Sequence, residues 1–140
     1  MSATGLQVFD DTLHKTNIWL NEVMEEVGPD RQRAYHALRA VLHTLRDRLS
    51  TEEAAHLSAQ LPMLIRGIYF EGWRPGRGPT RQRNREQFVS DVSARLQAVG
   101  PINPETAARG VFRAIERHVT AGEVADVKSM LPDDIRTLWP

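Results

Sequence analysis

Residues 60–75 read "QLPMLIRGIYFEGWRP" and residues 130–140 read "MLPDDIRTLWP", so Leu-Pro, Ile-Arg and a closing Trp occur twice in one chain. A shift of 70 positions aligns residues 34–70 with residues 104–140 without a gap and gives nine identities in 37 positions. Among them are Ala37 with Ala107, Arg39 with Arg109, Glu53 with Glu123, Pro62 with Pro132, Ile65 with Ile135 and Arg66 with Arg136. Other pairs, such as Leu57 with Val127 and Ile68 with Leu138, keep apolar character. A period this long, present only twice, predicts a duplicated half-domain and not a solenoid.

Working outward from the repeat, each half reads as helices. Phe9, Leu13, Leu20, Val23, Met24 and Val27 recur at helical spacing until Gly28 and Pro29 stop the run. A second helix carries Tyr35, Leu38, Val41, Leu42, Leu45 and Leu49 on one face. Ser50 with Glu53, and Thr120 with Glu123, have the spacing of a capping box, in which hydroxyl and carboxylate each satisfy a free amide at a helix start. That places a third helix at about residues 51–60, and Pro62 and Pro132 suit the first turn of a short fourth one. In the second half Phe88, Val89, Val92, Leu96 and Val99 form the first helix, while Asn103 and Pro104 read as cap and first position of the next. No alternating run predicts a strand.

The segment "RPGRGPTRQRNR", residues 74–85, holds two prolines, two glycines and five arginines, and is read as a loop. The expected architecture is all-α: one domain over residues 1–140, a compact helical bundle of about eight helices from two duplicated four-helix halves, 6–73 and 86–140, joined by this Arg-rich loop.

The totals narrow the function classes. The 140-residue chain has 18 basic and 18 acidic side chains, and no cysteine. Disulfides, thiolate nucleophiles and Cys-ligated zinc are therefore excluded. No run approaches the ~20 apolar residues of a membrane span, and "MSATGLQVFDD" lacks the basic-then-apolar pattern of a secretory leader. A soluble cytoplasmic protein with no membrane association is expected. Charge is uneven along the chain: residues 1–72 carry net −3, residues 73–85 net +5 and residues 86–140 net −2.

The stretches "TNIWLNEV", "DRQRAYHALRAVLHTLRDRL", "EEAAHLSAQLPMLIRGIYFEGW" and "EVADVKSMLPDDIRTLWP" resemble the domain-of-unknown-function 2267 family of bacterial and archaeal proteins. The likeness spans about residues 8–140. It implies an all-helical prokaryotic protein built on a duplicated unit, and it implies no reaction and no functional residues.

No Gly-x-Ser-x-Gly elbow, Walker lysine or His-Glu-x-x-His is present, so no catalytic residue and no cofactor are assigned. His36 and His43 lie two turns apart on one helix, with His56 on the next element. The Glu-x-x-His spacing that accompanies metal sites in helical bundles is read as absent, so these histidines are taken as exposed or half-buried and not as ligands. The acidic pairs Glu52–Glu53 and Asp133–Asp134 stand at helix starts, where negative charge suits the dipole.

Three sets of residues remain as candidates. Arg74, Arg77, Arg81, Arg83 and Arg85 would follow a nucleic-acid backbone or another anion. Tyr69, Phe70, Trp73 and Trp139 would form an apolar patch for a protein partner or a second copy of the chain, the alternative being rings that plug their own half. The repeated arginines Arg39 with Arg109, and Arg66 with Arg136, would flank a pseudo-two-fold axis as an anion site, the preferred alternative being bonds within each half to Glu53, Glu123 or helix-end carbonyls. The leading expectation is a non-enzymatic interaction or scaffold module. Nucleic-acid or anion binding through the loop comes second, and a small-molecule-binding bundle or an unrecognised enzyme third.

Overall fold

Five helix starts in this chain are capped by short polar side chains, Asp30, Ser50, Asn84, Asn103 and Thr120. The computed structural model describes residues 3–77, 79–80 and 84–140. Among them the order is α1 (Gln7–Val27), α2 (Arg31–Arg46), α3 (Thr51–Ser58), α4 (Met63–Phe70), α5 (Arg85–Leu96), α6 (Pro104–His118), α7 (Ala121–Ser129) and α8 (Asp133–Arg136), with no strand. Asp30 accepts hydrogen bonds from the Gln32 and Arg33 amides, and Asn103 from the Glu105 and Thr106 amides with Pro104 in the first turn. Each satisfies donors that the first turn of a helix leaves free.

Helix α2 sits at the centre, packed against α1, α4, α5 and α6. Ala34, Ala37, Leu38, Ala40, Val41, Leu42 and Leu45 are all buried, so the single apolar face expected from periodicity becomes a helix covered on most sides. Thr44 and Arg46 are buried as well. Thr44 hydroxyl donates back to the Ala40 carbonyl, and the Arg46 guanidinium donates to the carbonyls of Tyr69 and Glu71 at the end of α4. α2 stops at Arg46, and Leu49, expected on the helix, is buried in the turn that follows.

Helices α1 and α6 approach closely at Gly110, where an added Cβ would lie 3.1 Å from Glu26 Cβ. Ion pairs of Arg113 with Glu25 and Glu26, and a 2.8 Å hydrogen bond between His118 Nε2 and the Glu22 carboxylate, border this seam. Arg48, 1% exposed, joins the early helices to α5: it reaches Asp91 at 2.7 Å and lies over the Phe88 ring.

Local contacts recur at the 70-residue offset. Arg66 Nε donates to the Ser58 carbonyl at 2.9 Å, and Arg136 Nε to the Lys128 carbonyl at 3.1 Å. Ser50 and Thr120 hydroxyls accept from the Glu53 and Glu123 amides. The two helices so capped pack on each other, with Gln60 bonded to Thr120 at one end and Ser50 to Met130 at the other.

Two expectations need correction. Phe9 and Leu13 continue the apolar face of α1, yet they are 49% and 39% exposed, because the first turns of this helix extend past the elements that cover Trp19, Leu20 and Val23. Trp73 and Trp139 are also not counterparts. At the 70-residue offset Trp139 pairs with Tyr69, and both are buried, Tyr69 bonding the Ala54 carbonyl and Trp139 stacking on Phe112 at 4.2 Å.

Candidate functional site

The exposed large apolar side chains among the described residues are Leu6, Val8, Phe9, Leu13, Ile18, Met63 and Leu64, all on or beside α1 and α4. The two helices are held together where the Leu64 amide, free because it lies in the first turn of α4, donates to the Thr12 hydroxyl at 2.9 Å. Between them runs a groove of about 610 Å³ whose walls are Phe9, Leu13, Met63, Leu64, Gly67 and Ile68. Leu13, Leu64 and Ile68 also line an adjoining hollow that continues toward Leu20, Tyr35 and His36. Glu71, paired with Arg39 at 3.2 Å, stands at the polar margin of the groove. A wall of this kind offers apolar area and no convergent catalytic groups, which suits docking of another apolar surface.

The aromatic endings fall differently from a surface cluster. Tyr69 is fully buried and Trp139 is 7% exposed, so neither presents a face to solvent. Burial pushes the Tyr69 phenol well above its ordinary range, keeping it a neutral donor to the Ala54 carbonyl. Phe70 and Trp73 are half-buried and lie against each other with ring centres 5.1 Å apart. The apolar surface that is exposed lies at the start of α4, nearly two turns before Tyr69 and Phe70, at Met63 and Leu64. The signal for it was the strong apolar character of "MLI" directly after Pro62, with two of the three left outside the core.

In the Arg-rich segment Arg81 and Arg83 lie outside the described residues, as does the side chain of Arg77, whose backbone closes a 3-10 turn over Pro75–Arg77. Arg74 is exposed. Arg85 is engaged internally, donating to both Glu105 carboxylate oxygens and to the Thr137 hydroxyl. The segment is tied to the first half where the Thr80 amide donates to the Asp47 carbonyl and the Thr51 hydroxyl to the Pro75 carbonyl.

Three of the repeated arginines bond within their own half. Arg66 and Arg136 bind the carbonyls that close α3 and α7, Arg39 pairs with Glu71, and Arg109 is exposed. Nor are His36, His43 and His56 gathered together: His43 is buried and its Nε2 bonds the Ile68 carbonyl at 2.7 Å, while His56 is exposed on α3. Burial, with Arg46, Arg39 and Arg95 adding to it, lowers the His43 pKa to about 4, so this ring is neutral and donates from Nε2.

The capping boxes form only by half. Neither carboxylate returns to the amide of its own cap; Glu53 and Glu123 turn inward instead and meet between α3 and α7, 7% and 8% exposed. Each Oε2 is buried and accepts from no amide, hydroxyl or cationic group. The two carboxyl groups lie side by side, an oxygen of each within 4.8 Å of the other. Burial first, then the hydrogen bond and charge of Glu53, then Asp126, raise the Glu123 pKa to about 8. Glu53 and His56 do have Glu-x-x-His spacing, contrary to its reading as absent: the assignment of Glu53 to a cap hid it.

These features define an all-helical protein with a largely buried central helix and an apolar groove at one edge. The family described as "Uncharacterized conserved protein (DUF2267)" matches residues 16–138, and the chain belongs to that family. No curated protein matches it. No helix among the described residues is long and apolar enough to cross a membrane.

Proposed function

We propose that this protein is a non-enzymatic interaction module whose α1–α4 apolar face docks on the same face of a second copy of the chain. The observation that carries the reading is the gathering of Phe9, Leu13, Met63 and Leu64, each more than a third exposed, around one groove. Leaving that much contiguous apolar surface in water is unfavourable, at ~25 cal/mol per Å². A second copy is favoured as occupant because a self-complementary face needs only two-fold symmetry, and because interfaces between identical chains are the more apolar class. Zero formal net charge also leaves two copies without a long-range repulsion to overcome.

Sedimentation equilibrium over a range of concentrations tests it. A reversible monomer–dimer equilibrium is expected, and a monomer at every concentration overturns the self-docking reading. The second reading, an anion or nucleic acid held by the Arg-rich loop, is weakened by the internal engagement of Arg85 with Glu105. A mobility shift at low salt that disappears as salt rises would restore it.

A further inference from the structure

Helices α3 and α7 bring three metal-ligating side chains to one point. One carboxylate oxygen of Glu53, one of Glu123 and one imidazole nitrogen of His56 all lie within 4.8 Å of one another. The two carboxylates are each more than nine-tenths buried, and the Oε2 atom of each receives no hydrogen bond from an amide, hydroxyl or cation. Neither makes an ion pair with a Lys or Arg among the described residues, although other carboxylates there do, Asp91 with Arg48 and Glu116 with Lys128 among them. Two buried acids without a cation are costly unless something positive sits between them. We propose that Glu53, His56 and Glu123 form a binding site for a divalent transition-metal cation, with Zn²⁺ the best match.

The donor chemistry selects the ion. Two carboxylate oxygens and one imidazole suit a borderline cation such as Zn²⁺, whereas Mg²⁺ and Ca²⁺ prefer six or more oxygen donors. Bond lengths of about 2.0–2.2 Å would draw the three donor atoms somewhat closer together than they now stand. The adjustment falls on His56, whose side chain is 57% exposed and lies only 3.9 Å from the exposed Glu52. Both carboxylates are fixed by the third residue of a capped helix, so the protein provides a rigid pair and one swinging arm. A 2+ ion also matches the charge of two ionised carboxylates. The position 70 residues beyond His56 is Asp126, so the repeated unit supplies a carboxyl group where the first half has its imidazole.

The test uses the full chain, stripped with a chelator and titrated with Zn²⁺ by calorimetry and by competition with an indicator. One Zn²⁺ per chain is expected, with no competition from Mg²⁺. His56→Ala, which removes an exposed side chain and keeps the fold, should weaken binding by roughly tenfold or more. Glu53→Gln with Glu123→Gln should abolish it, and Zn²⁺ should raise the melting temperature of the wild type but not of this double variant. The absence of Zn²⁺ binding would overturn the proposal. Equal binding by wild type and His56→Ala would also overturn it, by moving the metal to other histidines.

Discussion

Glu53 and Glu123 occupy the third position of α3 and α7, and their carboxyl groups meet in the interface between these helices. Each position is the one from which a glutamate ordinarily reaches back to its own cap. Here the hydroxyl half of the motif caps the helix alone, and the acid is spent on the junction between the two parts of the chain.

That relationship sets a pH dependence. The Glu123 pKa is raised to about 8 in the folded protein, above its unfolded value, so the folded state holds the extra proton between those limits. Its contribution to stability is complete below the unfolded pKa and is lost as pH rises through about 8. In metal-free buffer the melting temperature should fall as pH rises from about 6.5, where the opposing contribution of His43 is complete, to about 8, and level off above it. Glu123→Gln, which keeps a donor toward Glu53, should flatten that fall and be the more stable form at the alkaline end, measured by thermal melts followed by circular dichroism.

His43 works in the opposite direction. Its pKa is lowered to about 4, so the unfolded chain binds the extra proton as pH drops below the ordinary histidine value. Its contribution is present above about 6.5 and is lost as pH falls toward about 4. His43→Gln retains a donor for the Ile68 carbonyl and should reduce the acid slope of denaturant stability, at a cost of about 1 kcal/mol near neutral pH for the imperfect fit.

Charge introduced into the groove should separate association from folding. Phe9→Glu and Leu64→Glu replace side chains that are 49% and 41% exposed, so each should change stability by only about 0.5 kcal/mol. Either should abolish the dimer in sedimentation experiments. Loss of association with an unchanged melting temperature in dilute solution is the expected pair of results.

The α1–α6 seam should tolerate no added methyl. At Gly110 a Cβ would meet Glu26 Cβ at 3.1 Å and Cγ at 3.3 Å, and the first of these atoms moves only with helix α1. Helix propensity favours alanine by about 1 kcal/mol, while overpacking costs typically 1–3 kcal/mol. Gly110→Ala should therefore be destabilising by about 1 kcal/mol in urea denaturation, and a gain in stability would show that the helices can part at little cost.

Much of the helix layout was legible before any coordinates. The caps Ser50, Asn103 and Thr120 act through the nearest amides, so a few residues of local sequence are enough to place them. The same holds for Pro104 and for the stop at Gly28, whose φ of 107° a side chain would rarely adopt. The Asp30 cap of α2 was equally local but was not assigned. Less was legible where a residue has a choice of partners. Trp19 was not assigned to the core, yet it is 2% exposed and stacks with His118. Phe9 and Leu13 share its helix and its apolar character but remain in solvent. Periodicity gives the direction a side chain faces, and only the neighbouring elements decide whether anything stands there.

The candidate site divides in the same way. Glu53, His56 and Glu123 are plain in the sequence, as is the 70-residue offset between the two acids. Their meeting is not, because it depends on how α3 lies against α7. By itself the sequence determined the all-α class, the helix starts, the breaker-rich linker and the recurring pattern of residues, since these rest on bonds and spacings within a few positions. Only the tertiary structure decided that Tyr69 and Trp139 are buried, that Arg85 is spent on Glu105, that the α1–α4 face is open, and that two cap-like acids face each other. Each of those outcomes is settled by contacts between residues distant in the chain, where helix packing selects among partners that local chemistry permits equally.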